Sequence, residues 1–275
     1  MIQPLKRMGL ALLALFLGSA IQASLQGIVF RDKAGNMSLE NMKSWKGTKV
    51  DDNTMSFVGA GNPLRGQWKD QGLSLQQAIR IEGTAVRAKG NVFRLEQASM
   101  SGSVIAVLRQ QGSGGERTTT LKAESIVYTA EPSKAVITGG VDLKIHSPGI
   151  SQTFNITGSS AVLDLVPLGE KASFPLRSGT IQGPVRFRLD GERKAAKGTS
   201  TAVVVTGNAA KLTYDDASLT MTLTGGVHLE GDDAVIGGTV DASKAVIRLN
   251  DKHEVIEVSF EGSPGKSTLR ETGGR

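Results

Sequence analysis

Along most of the chain apolar and polar residues alternate one by one, the period of a strand with one buried face. The clearest run lies within 209–230. Leu219, Met221 and Leu223 alternate with Ser218, Thr220, Thr222 and Thr224; a glycine pair intervenes, and Val227, His228 and Leu229 resume the alternation. This predicts a strand, a kink and a continuing strand. The same phrase (glycine, a small or turn-type residue, valine, any residue, an apolar residue) recurs elsewhere in the chain. It stands at Gly139-Gly140-Val141-Asp142-Leu143-Lys144-Ile145, at Gly183-Pro184-Val185-Arg186-Phe187-Arg188-Leu189 and at Gly90-Asn91-Val92-Phe93-Arg94-Leu95. The leading glycines lie 49 residues apart from Gly90 to Gly139, 44 from Gly139 to Gly183 and 42 from Gly183 to Gly225. A phrase at loosely constant spacing means one supersecondary unit used repeatedly.

Short strands are predicted at 78–81, 84–88, 91–95, 104–108, 121–128, 135–145, 161–165 and 179–189. In the most regular block they follow at 202–206, 210–214, 219–223, 226–229, 234–240, 245–249 and 255–260. Asp215-Asp216, Asp232-Asp233 and Asn250-Asp251 supply turn chemistry between them. Residues 25–69 alternate poorly and read as an irregular or short-stranded entry, with Trp45 and Trp68 plugging the end of a core. The Gly/Ser-rich 110–118 and the Gly/Lys-rich 190–201 each read as a hairpin tip or a linker. The tail 263–275 carries no packing signal and is expected to be unstructured. No convincing helix follows residue 23, so the fold class is all-β, built from repeated antiparallel hairpins. The expected division is an N-terminal signal or anchor over 1–23, an N-terminal β segment over 24–118, a regular β region over 119–262 and the tail.

Composition agrees with many short strands and tight turns. The 275 residues are 39% hydrophobic and 21% charged, with only 4% aromatic and 34 glycines. That excludes wholesale disorder. The formal charge of +6 includes Lys6 and Arg7, and the rest is spread without a basic tract or interleaved aromatics, so no nucleic-acid partner is expected. There is no cysteine, hence no disulfide and no thiolate metal site. Lys6 and Arg7 precede an apolar run over 8–17 and then small residues, with cleavage positions after Ala20 or Ala23. Two readings stay open: a cleaved secretory signal, or a retained anchor giving membrane contact, since no charge interrupts 8–30. Either way the expected location is periplasmic.

Enzyme chemistry finds little purchase. The only histidines are His146, His228 and His253, and no two have helical zinc-site spacing. His228, between Val227 and Leu229, reads as the solvent-side residue of a strand. The glycine pairs have no following helix and no P-loop lysine, so they read as strand-kink devices: Gly139, Gly140, Gly183, Gly225 and Gly226. No catalytic residue, metal or cofactor is expected. What remains is the apolar face. Val141, Leu143 and Ile145; Val185, Phe187 and Leu189; Met221, Leu223, Val227 and Leu229; and Ile247 would form one strip across stacked strands. It is either a dry core or the lining of a lipid slot.

The segment Ala210-Lys211-Leu212-Thr213-Tyr214-Asp215, the phrase at 223–229 and the stretch from Ile236-Gly237-Gly238 to Leu249 resemble the OstA-like domain of periplasmic lipopolysaccharide-transport proteins of the LptA and LptC type. A weaker likeness lies in Ala123-Glu124-Ser125-Ile126-Val127-Tyr128 with Ile137-Thr138-Gly139-Gly140-Val141, and in Gly90-Asn91-Val92. The resemblance implies an elongated, folded-over antiparallel β-jellyroll whose two sheets form a slot. Acyl chains lie inside it, and other β-jellyroll transport proteins extend it by edge-strand pairing. It implies a non-enzymatic carrier of lipopolysaccharide or a similar amphiphile toward the outer membrane. A second expectation is a structural or adhesive β-solenoid binding surface polysaccharide or protein.

Overall fold

The computed structural model describes residues 20–24, 27–89, 92–112, 115–147, 152–168, 170, 174–194, 200–232, 237–251, 253, 255–262 and 265–269. Residues 1–19, which hold most of the expected signal or anchor, lie outside them. The described residues contain no helix and fifteen strands: β1 (Ala20–Ser24), β2 (Gly27–Arg31), β3 (Met37–Lys49), β4 (Thr54–Trp68), β5 (Leu73–Arg87), β6 (Phe93–Gly112), β7 (Gly115–Thr129), β8 (Lys134–Ser147), β9 (Gln152–Leu165), β10 (Leu176–Lys194), β11 (Ser200–Asp215), β12 (Thr220–Asp232), β13 (Gly237–Leu249), β14 (Val255–Glu261) and β15 (Gly265–Leu269). All belong to one sheet in which each strand pairs with the next from β1 to β14, and β15 also pairs β13. Every pairing is antiparallel, so the chain is a meander and not the coil of a β-solenoid.

The strands are long, and a line of bulges crosses nearly all of them at mid-length. Register shifts fall between Ser101 and Val104 on β6, Lys122 and Ser125 on β7, and Thr138 and Val141 on β8. They continue between Gln182 and Val185 on β10, Asn208 and Lys211 on β11, and Thr224 and Val227 on β12. A bulge adds unpaired residues to a strand and bends it. Each strand crossed by the bulge line therefore has two arms. The first arm of the sheet holds Leu143, Ile145, Phe154 and Ile156; the second holds Leu163, Ile181, Leu212 and Met221.

The bulge line also explains the repeat. On β8, β10 and β12 the inward positions jump by four across the bulge (Ile137 to Val141, Ile181 to Val185, Leu223 to Val227), whereas on β7 and β11 they jump by three (from the partly buried Ala123 to Ile126, and from Ala209 to Leu212). The jump of four is taken up by residues at positive φ. These are Gly139 (74°) and Gly140 (89°), Gly183 (95°), and Gly225 (82°) and Gly226 (65°), a region that costs L-residues with a Cβ. One glycine phrase per hairpin gives the 42- to 44-residue spacing. Gly90 and Asn91 lie outside the described residues, and Phe93 begins β6, so that copy is not equivalent to the others. The mid-strand counterpart on β6 is Gly102 (φ 86°) with Ser103 (φ 54°), and Gly102-Ser103-Val104-Ile105-Ala106 is itself a copy of the phrase, at the bulge of its strand.

Several expectations change accordingly. The short strands predicted at 219–223 and 226–229 are the two arms of β12, split in the pattern by the bulge. Within the entry, Gly27–Arg31, Met37–Lys49 and Thr54–Trp68 are strands. Gly59 and Gly66 take inward positions on β4, where their hydrogens hide the apolar alternation, and Asn41 at φ 59° breaks it on β3. The described residues on either side of 113–114 pair as a hairpin, from Leu108↔Thr119 to Gly112↔Gly115; the expected boundary at 118–119 falls inside β7. β10 and β11 likewise pair to Lys194↔Ser200. The tail is not structureless: Gly265–Leu269 pairs the first arm of β13, beyond the stretch β14 covers, and satisfies ladder groups there.

One apolar cluster runs the length of the sheet, from Phe30 to Leu249. At its N-terminal end Trp45 stacks between Phe30 (4.5 Å) and Phe57 (5.8 Å), and Trp68 is fully buried.

Candidate functional site

The eleven apolar residues expected to line a slot are all buried and all belong to the one cluster. The register carries them in rows. Leu143 opposes Ile156, Ile156 opposes Phe187, and Ile145 opposes Phe154, which opposes Leu189. On the other arm Leu223 opposes Ala245 and Met221 opposes Ile247.

Between the arms lies a narrow cavity of about 440 Å³ including its mouth, much of it too thin to take a chain without side chains moving apart. Its first-arm wall is Leu143, Ile145, Phe154 and Ile156; its second-arm wall includes Leu163, Ile181, Leu212 and Met221. Thus Leu143, Ile145 and Met221 of the predicted set line it. Val141, Val185, Phe187, Leu189, Leu223, Val227, Leu229 and Ile247 pack in the surrounding core.

The second-arm end of the cavity is closed by groups that the alternation did not single out. Phe174 and Tyr214 line it. The Phe174 ring stacks on His253 (centroids 4.4 Å apart) and tilts against Tyr214 (5.1 Å), and the Arg117 guanidinium of the first arm lies 5.2 Å above it. Such a cation over a ring face is attracted by the ring quadrupole. The Tyr214 hydroxyl donates to Asp216 Oδ1 at 2.5 Å, and His253 Nε2 lies 3.0 Å from the same oxygen. Burial, then the Asp216 hydrogen bond and charge, push the Tyr214 hydroxyl far above its ordinary value. Burial lowers that of Arg117, against the opposing pull of Tyr214 and Asp216. The turn reading of Asp215-Asp216 covers only half of this. Asp215 accepts from Ser218 Oγ and Ala217 N as a turn residue does, while Asp216 ties a tyrosine to a buried histidine 37 residues on.

The other histidines are surface residues. His228 sits on the solvent side of β12, 2.6 Å from Asp241, and His146 Nδ1 is 3.0 Å from Thr153 Oγ1. Among the described residues no group of three His, Asp or Glu could hold a metal ion.

At the opposite, N-terminal end the arms are tied by hydrogen bonds. Asp32 accepts from the backbone N–H groups of Asn36 (2.7 Å), Met37 (3.0 Å) and Phe93 (3.3 Å). Asn36 Nδ2 donates to Asp70 (2.7 Å) and to the Phe93 carbonyl (3.1 Å), while Gln71 exchanges two bonds with the Leu95 backbone. Phe93 and Leu95 open the second arm of β6, whereas the turns bearing Asp32, Asn36, Asp70 and Gln71 end first arms. This network latches one arm to the other. No family model and no curated protein matches the chain.

Proposed function

We propose that this protein is a non-enzymatic periplasmic carrier or bridge for lipopolysaccharide or a comparable amphiphile. In this reading the two arms are the sheets of a folded-over β-jellyroll, and acyl chains lie in the slot between them. The observation that carries the reading is the apolar cavity walled by both arms and continuous with a strip of buried residues along the whole sheet. The likeness of 210–249 to OstA-like domains supplies the lipid class. Each methylene moved from water into such a slot contributes about 0.8 kcal/mol, so a single chain is enough for useful affinity even after some is spent in parting the walls. Lys144, Arg186 and Arg188 stand exposed on the outside of the first arm, where they meet the phosphates of a head group.

The free edge of β14 supports the partner reading. Among the described residues nothing pairs its outer side, and Ile256 (56% exposed) and Phe260 (38% exposed) stand uncovered on it. An exposed apolar edge is a template for strand addition, here by another β-jellyroll transport protein. Movement of lipid is driven elsewhere, in a partner that supplies energy.

The test is site-specific photo-crosslinking in the envelope of a diderm bacterium. A photoreactive residue at Ile145 or Leu212 captures lipopolysaccharide, and one at Val136, on the outer face, does not. Equal labelling at all three, or none at the inner sites of a folded protein, overturns the reading.

A further inference from the structure

The first-arm rim of the cavity is polar on its inner face. Inward positions near the arm tips carry Gln110 on β6, Thr119 on β7 and Gln152 on β9, and all three are more than nine-tenths buried (6%, 8% and 6% exposed). The register sets them beside the cavity. Thr119 opposes Ile145, Ile145 opposes Phe154, and Gln152 stands two residues before Phe154 on the same face. Gln110 to Gln152 spans three strand spacings, roughly 14 Å at 4.8 Å each.

Gln110 Nε2, Thr119 Oγ1 and Gln152 Oε1 are buried and have no hydrogen-bond partner among the described residues. A buried polar atom without a partner costs free energy that an apolar side chain of the same shape would not. Trp68 Nε1 and Arg87 Nε are in the same condition, but on β4 and β5 and away from this cavity's wall. The Gln152 side chain packs close against the neighbouring strand β10. Gly191 faces Gln152, and a Cβ there would approach Gln152 Cγ to 3.2 Å.

Resting on the carrier reading above, we propose that Gln110, Thr119 and Gln152 form a belt that binds the linkage of an acyl chain, an amide or hydroxy-ester, while the chain itself occupies the cavity. The amides and the hydroxyl together offer donors to a carbonyl oxygen and acceptors to an N–H or O–H, whichever way each amide is turned. None of the three is charged, so the belt selects a neutral linkage and not a phosphate. It fixes how deep the chain sits and which end of it faces out.

The experiment uses the full chain and displacement of a spin-labelled fatty acid by two probes of equal chain length. One is N-tetradecanoyl glucosamine, which has a carbonyl and an N–H; the other is tetradecyl glucoside, which has neither. The expected result is a preference of about tenfold for the amide, from two or so hydrogen bonds made in a dry site. That preference falls to near unity in Thr119→Val with Gln152→Leu, while affinity for the glucoside is kept. The ligand-free double variant also melts no lower than the parent, because it loses buried polar atoms that have no partner. Equal affinity of the parent for the two probes overturns the belt and leaves the carrier reading standing. Failure of both probes to displace the label, or of the label to bind, overturns both. A lower melting temperature in the folded, ligand-free double variant shows that these atoms serve the fold, and that also overturns the belt.

Discussion

The two ends of the molecule use buried polar groups in opposite ways. At the N-terminal end Asp32, Asn36 and Gln71 are buried, and each is hydrogen-bonded to the facing arm, Asp32 and Asn36 to the Phe93 backbone and Gln71 to that of Leu95. Around the cavity Gln110, Thr119 and Gln152 are as deeply buried, yet each keeps an atom with no partner among the described residues. The same bent sheet is therefore latched by hydrogen bonds between the arms at its N-terminal end, where Trp68 Nε1 and Arg87 Nε still lack partners among the described residues. Near the cavity it carries a group of three unpartnered polar residues, beside the bonded Tyr214, Asp216 and His253. A satisfied network stabilises a unique closed arrangement; an unsatisfied one is costly unless something else completes it. In the carrier reading proposed above, the cavity end is the place where a ligand acts.

The largest expected effect breaks the closed end. Asp32→Ala removes the acceptor of three backbone N–H groups and leaves them buried, so it should cost about 3 kcal/mol in denaturant unfolding. At the cavity end Thr119→Val should be neutral or stabilising by up to about 1 kcal/mol, the opposite sign for an equally buried polar residue. A loss comparable to that of Asp32→Ala would erase the contrast.

The bulge line allows a finer comparison. Gly225 and Gly226 both have positive φ, but a Cβ on Gly225 would lie 2.7 Å from Ala210 Cβ, while one on Gly226 meets nothing within 4 Å. Gly226→Ala should cost about 1 kcal/mol from backbone strain alone, and Gly225→Ala clearly more. Equal melting temperatures for the two variants would show that the neighbouring strand yields freely at the bend.

The smallest effect is spectroscopic. The chain has two tyrosines, Tyr128 and Tyr214, and burial raises the pKa of both. An acid whose folded pKa is raised favours the folded state below its unfolded pKa and loses that contribution as pH rises. Stability should thus fall above about pH 10, the ordinary tyrosine value. Tyrosinate absorbance should appear only together with unfolding, and its appearance in native protein near pH 10 would contradict the burial of both rings.

Much of the fold was legible because one face is buried and the period of two is strong between bulges. The glycine phrases were read as kinks, and all five glycines named on that ground have positive φ at bulges. The arms were mistaken for separate strands because a jump of three or four residues breaks a period-two pattern without ending the hydrogen-bond ladder. The strands within 27–68 were read only as an irregular or short-stranded entry because Gly59 and Gly66 fill inward positions without an apolar side chain. At the candidate site, the apolar wall residues Leu143, Ile145 and Met221 could be read from the alternation. Phe174, Asp216 and His253 could not, since turn residues join the wall only through tertiary contact. Gln110, Thr119 and Gln152 offered one faint signal: each stands at an inward position of an otherwise alternating strand, where an apolar residue is expected.

The central claim, that the apolar space between the arms holds the acyl chains of an amphiphile, is tested most directly by native mass spectrometry of the protein purified from a bacterial envelope. The account predicts a fraction of the protein carrying an acylated amphiphile, lost in a folded Ile145→Asp variant. Protein that is free of lipid under gentle release, or that keeps the same adduct in that variant, would contradict it.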